Sequence, residues 1–259
     1  MYQSLDFHFV LDYFIKLLPF VRISLVIVVC SVALGLVAGF IVALPRLYSI
    51  PVLQRVSQLY ASFFRGTPIL IQLFLIYYLL PELLKLVGAD VTRAPALVFV
   101  IIAYGLHNAA FVSEGIRAAV SAVDRGQVEA GYALGMTGRQ AFFRIVFPQA
   151  LAIAMPILGN LVIATLKDTS LAFTLGVMEL SGKAQTLPLM SQRFMETYIA
   201  LAIIYYLISL VLEKLFRRAE LRLLRHELPD DVINRRGVIG RLLSKRRGQL
   251  AKGGAENVH

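Results

Sequence analysis

Residues 129–149 read EAGYALGMTGRQAFFRIVFPQ, a polar segment set between two stretches hydrophobic enough to cross a bilayer. It carries Glu129, Arg139 and Arg144, and it is punctuated by Gly131, Gly135 and Gly138. What such a segment does depends on the kind of chain that holds it. Of the 259 residues, 58% are hydrophobic and only 16% are charged, with a mean hydropathy of +0.72. Soluble domains lie nearer about 45–50% apolar and about 25% charged. The chain therefore belongs in a membrane.

Five stretches are long and apolar enough to span, given that a crossing helix needs about 20 mostly apolar residues. They are 23–44, 69–80 (extending toward Val87 past Pro81), 96–112, 150–166 and 198–212. The second is short, so its helix is expected to begin before Arg65. The segments between them alternate in charge. Arg46, Arg55 and Arg65 follow the first span without an acid. Lys85 and Arg93 are balanced by Glu82 and Asp90 after the second. Arg117, Arg125, Arg139 and Arg144 outweigh Asp124 and Glu129 after the third. Lys183 and Arg193 are balanced by Glu179 and Glu196 after the fourth, and the tail from Lys214 is rich in Lys and Arg.

Basic loops stay on the cytoplasmic side. This places the N-terminus outside, the tail inside, and residues 129–149 in the cytoplasm. It also accounts for the net charge of +10 without nucleic acid. The first residues, with Asp6 and Asp12 against Lys16, do not read as a secretory signal. The single cysteine, Cys30, excludes an intrachain disulfide framework. The expected fold is an all-α integral membrane protein with five transmembrane helices, a transmembrane domain over 1–217 and a basic cytoplasmic tail over 218–259.

The opening segment resolves into two short helices at an angle. Asp124 is placed to cap the first. Gly135 stands where helices end in a left-handed residue. Thr137 followed by Gln140 forms a capping box that restarts the chain, and Pro148 falls in the first turn of the next span. The result is a helix–turn–helix elbow over 124–148, fused to span four.

The spacing Glu129-Ala130-Gly131, Gly135, Ile145 and Phe147-Pro148 resembles the EAA loop of ABC importer permeases, with Gly131 for the second Ala and Phe147 for Leu as departures. Phe63 to Pro68 with Gln72, Glu114 to Arg117, Gly126-Gln127 and Lys167 to Leu171 resemble the signature segments of the polar amino-acid subfamily, the permeases for histidine, arginine, glutamine, glutamate and cystine. The resemblance covers about 18–217. Residues 19–24 and the tail beyond Glu227 depart from it. It implies a permease subunit of a bacterial inner membrane importer that pairs with a second permease subunit, itself or a sister. It further implies that Glu129, Ala130, Gly131, Gly135, Ile145 and Pro148 couple the chain to an ABC ATPase. A substrate-binding protein outside would deliver a polar amino acid.

ATP-Mg is expected on the partner only. A phosphate-binding loop needs Gly-Lys-Ser/Thr, and Gly182-Lys183 is followed by Ala184. No metal cluster and no catalytic constellation stand out, so the chain is not expected to be an enzyme. Polar groups inside spans are costly and mark function by default. Asn108 and Asn160 lie about 18 Å into their spans at about 1.5 Å per residue. Gln72, Lys167, Asp168 and Thr169 complete a candidate substrate pathway, and interhelical hydrogen bonding is the rival role for the asparagines. Glu114 and Arg117, one turn apart, read as a structural ion pair. Gly35 and Gly39 permit a close helix contact. The rival functions are an ion-gradient-driven secondary transporter and a membrane scaffold that recruits an ATPase.

Overall fold

The computed structural model describes residues 5–224, and among them every regular element is helical. Five helical stretches are long and apolar enough to cross a membrane: Phe7–Leu47, Ile69–Leu86, Ala96–Ser121, Gly138–Leu175 and Phe194–Leu223. The number matches the sequence expectation, while several ends do not. Large apolar side chains lie open along them, among them Val29 at 65% and Val37 at 63% exposure. Such faces suit hydrocarbon rather than water.

Helix α1 (Phe7–Leu47) starts well before the expected Ile23, because a helix outlasts its apolar run where local contacts support it. Asp6 caps it by accepting from the His8 N–H at 2.9 Å, and Asp12 pairs with Lys16 one turn on at 2.7 Å. Its early turns pack on α8 (Leu180–Thr186) and α9 (Phe194–Leu224) through Val10, Tyr13 and Leu17 against Leu180, Ala200 and Ile204.

Further on, α1 crosses α4 (Ala96–Ser121) at Gly35 and Gly39. A Cβ on Gly35 would lie 2.6 Å from the Asn108 Cβ, and one on Gly39 would lie 2.7 Å from the Val112 Cβ. The two glycines are therefore a spatial requirement, as the sequence spacing suggested.

The second span does not begin before Arg65. Helix α2 (Pro51–Gly66) stops, and α3 (Ile69–Leu86) restarts two residues later. Pro68 excludes the helical conformation from the residue before it, and Thr67 is extended at φ −109° and ψ 144°. The chain then turns through 87–95 into α4.

Span four is longer than expected, because α6 (Gly138–Ala141), a π-helical turn (Phe142–Val146) and α7 (Phe147–Asp168) run on as one helix. A single 3₁₀ stretch, Thr169–Leu175, follows and ends at Gly176, with φ +81°. Glu179 caps α8, and α9 continues through the expected 217/218 boundary. The tail from 225 onward, with Lys245-Arg246-Arg247, lies outside the described residues.

Candidate functional site: the elbow and the open face of span four

The ends of the elbow's helices are set by local chemistry. Asp124 caps α5 (Arg125–Ala133) by accepting from the Gly126 N–H at 2.8 Å. Gly135, at φ +82°, ends it. The Met136 N–H reaches the Gly131 carbonyl at 3.0 Å and the Gly135 N–H reaches the Tyr132 carbonyl at 2.9 Å. Those two bonds make a complete Schellman motif, which satisfies carbonyls the helix end would otherwise orphan. Both halves of the Thr137–Gln140 capping box are present.

Pro148 has no N–H and would press on the carbonyl four residues back in a regular helix. The widened turn just before it, where the Phe147 N–H reaches back to the Phe142 carbonyl, absorbs that conflict. The proline thus sits inside a continuous helical rod that runs from Gly138 into α7.

Besides Gly135 and Pro148, the other four elbow positions divide into two pairs. Gly131 is buried, and a Cβ there would lie 2.8 Å from Ile145 Cδ1, so these two residues close the angle between α5 and the rod. Gln149 adds a hydrogen bond from its Nε2 to Gln127 Oε1 at 2.5 Å. Glu129 and Ala130 instead face outward, next to Leu134, which is 81% exposed. Glu129, Ala130 and Leu134 thus leave an acidic group and an apolar side chain open on the surface of α5 and its end.

The polar residues of the spans are sorted by burial. Exposed positions on α7 recur at Ile153, Ile157, Asn160, Ala164 and Lys167, one face at helical spacing. Asn160 also borders a small cavity with Glu213 and Arg217 of α9. Asp168 is half-buried at the end of that helix, and its carbonyl accepts from the Tyr104 hydroxyl.

Asn108 turns the other way. It is buried, its Oδ1 accepts from Thr165 Oγ1 at 3.0 Å, and it touches Gly35. Asn108 and Asn160 therefore do not face one space within the chain, and Asn108 makes the interhelical bond. Thr169 is buried too, its hydroxyl donating to the Leu166 carbonyl at 2.8 Å.

Gln72 is a stitch. Its Nε2 donates to the Phe64 and Thr67 carbonyls at 2.8 and 2.9 Å, and its Oε1 lies 2.9 Å from His107 Nδ1. It holds the α2–α3 break together, with both polar ends occupied.

Glu114 gathers more than its expected partner. Arg117 reaches it at 3.1 Å, as the spacing implied, but Arg46 of α1 and Arg65 of α2, at 3.6 Å, converge on the same carboxylate. The sequence offers no signal for these two, which come from elsewhere in the chain. Glu179 was likewise missed as more than a loop charge. It is fully buried and accepts from Ser24 Oγ at 3.0 Å and from the Gly182 N–H at 2.8 Å, and burial pushes its carboxyl above the ordinary range.

Residues 35–225 match the family described as the binding-protein-dependent transport system inner membrane component. The chain belongs to that family. It is 44% identical over 227 residues to an L-cystine transport system permease protein of Bacillus subtilis, covering 88% of this chain and 95% of that one. A probable amino-acid ABC transporter permease protein of Vibrio harveyi is 42% identical, over 85% and 97% of the two chains. A crystal structure of an amino acid ABC transporter matches with a TM-score of 0.74 at 32% identity, covering 85% of this chain and all of that one. An inward-facing methionine ABC transporter, at 19% identity and a TM-score of 0.57, shares the fold.

The protein is accordingly a multi-pass membrane permease subunit, a transport component rather than an enzyme. ATP hydrolysis resides on a separate subunit, and a binding protein serves the system.

Proposed function

We propose that the chain moves a polar amino acid or a close analogue inward by alternating access, driven by an ATPase that grips the elbow from the cytoplasm. The observation that carries this reading is the elbow itself. An exposed Glu129–Ala130–Leu134 surface is joined, through the tight Gly131–Ile145 contact, to a helix that continues unbroken into α7. Relatives named for cystine and for amino acids supply the substrate class. The alternating loop charges supply the sidedness. The permease acts as a dimer, with itself or a sister subunit, and the open α7 face with Asn160, Lys167 and Asp168 lines the pathway between the two. Gln72, Asn108 and Thr169 position the helices around it.

The test is to co-express the chain with its ATPase and binding protein, purify the complex, and screen amino acids for stimulation of ATPase activity. Stimulation by one polar amino acid is expected, and none by any of them would overturn the reading. For sidedness, a cytoplasm-dependent fluorescent reporter fused after residue 138 should be bright and after residue 90 dark. A bright fusion at 90 would reverse the topology.

A further inference from the structure

Two cavities meet beside the elbow. One, of about 240 Å³, lies between α1, α4 and α7 and is walled by Leu36, Phe40, Ala119, Ala150, Ala154 and Leu158, among other residues that are all apolar. The second, of about 590 Å³, shares Phe40, Leu47, Val120 and Phe142 with the first and ends at Tyr48, Tyr132 and Arg139. Together they make one crevice, wholly apolar between the helices and basic at its mouth beside the elbow.

We propose that this crevice binds one anionic phospholipid, with an acyl chain between the helices and the phosphate at Arg139. An apolar void does not hold water, and in a bilayer the apolar material at hand is an acyl chain. A protein helix, about 10–12 Å across, does not enter the inner chamber. The charge at the mouth is available: none of the ion pairs among the described residues includes Arg139, whose guanidinium stands 6.0 Å from the Phe143 ring.

Tyr48 and Tyr132, 75% and 52% exposed, line the same mouth, and exposed aromatic side chains of this kind favour the headgroup region. The leaflet follows from the proposed cytoplasmic elbow, and the inner leaflet is the anionic one. A lipid lodged there touches α1, α4 and the π-turn at once, so it braces the rod where the elbow pushes it.

The experiment counts lipids retained by the purified permease–ATPase complex, using native mass spectrometry after exchange into mixed phosphatidylglycerol and phosphatidylcholine nanodiscs. Wild type should keep phosphatidylglycerol selectively. Arg139→Gln should lower that selectivity by about fivefold, the weight of one basic residue near an anionic surface. Ala154→Phe, which fills the chamber, should lose both lipids, while Arg125→Glu, on the elbow but outside the crevice, should leave lipid retention unchanged.

Equal retention by all four proteins would overturn the proposal. So would loss of ATPase or of the second permease subunit from Ala154→Phe with lipid unchanged, because the crevice would then be a protein contact. If wild type does not hold an ATPase at all, the coupling reading fails, and the lipid counts on the permease alone still decide this one.

Discussion

The elbow and the α1–α4 crossing are both built on glycine, for opposite reasons. Gly135 has nothing within 4 Å of where its Cβ would be, and it is needed for a backbone angle of φ +82°. Gly39 sits in an ordinary helix and is needed because Val112 and the Ala109 carbonyl occupy the space, at 2.7 and 2.8 Å. One glycine answers to its neighbours in sequence, the other to a helix some seventy residues away. Glu114 repeats the contrast within a single side chain, with Arg117 one turn along and Arg46 and Arg65 brought in from elsewhere.

The sharpest way to break this contrast is at Glu114. Glu114→Ala should cost about 2 kcal/mol, below the about 3–5 kcal/mol of a fully buried pair because the carboxylate is part-exposed, since three guanidiniums lose their shared acid. Thermal unfolding in detergent measures it. Arg117→Ala, which removes only the local and half-exposed partner, should cost less than about 1 kcal/mol. Equal losses would mean that the distant arginines add nothing.

Gly39→Val should follow, costing about 1–3 kcal/mol or more from overpacking, seen as lower yield of folded protein in the membrane. Because the obstacle is partly backbone, repacking side chains should not relieve it. A second-site Val112→Ala that restored full yield would make the carbonyl irrelevant.

Gly135→Val should cost about 1–2 kcal/mol of local strain. The protein should still insert and dimerise, but it should lose uptake through weaker or unresponsive ATPase coupling. Gly135→Asn should recover most of it, because Asn tolerates the left-handed region. If Val and Asn behave alike, the angle is not what matters there. Glu129→Lys tests the outward half of the elbow and should lose ATPase co-purification without any loss of stability.

The smallest effect belongs to the asparagines. Asn108→Ala removes one interhelical bond, worth about 0.6 kcal/mol in membrane helices. Its Nδ2 has no hydrogen-bond partner, so nothing more is lost on that side. Asn160→Ala should leave stability unchanged and lower substrate-stimulated ATPase activity. The reverse pattern would exchange the roles of the two residues.

What the sequence by itself determined here is local or medium-wide in its physics. Hydrocarbon thickness sets span length, so five spans were legible from composition. Capping and φ > 0 depend on residues within a turn, so Asp124, Gly135 and the Thr137–Gln140 box were legible from spacing. The ends of α1 and the break at Thr67 were not read, because a hydropathy run ignores helical continuation through charged turns and the constraint that Pro68 places on its neighbour.

Only the tertiary structure decided which way each polar residue faces. Asn108 and Asn160 are alike in type and depth, and the crossing at Gly35 turns one inward while the open face of α7 leaves the other bare. The sequence carries a helix's periodicity but not the phase at which that helix meets its neighbours. That phase is set by packing between residues far apart in the chain, and it separates a side chain bonded between helices from one left open.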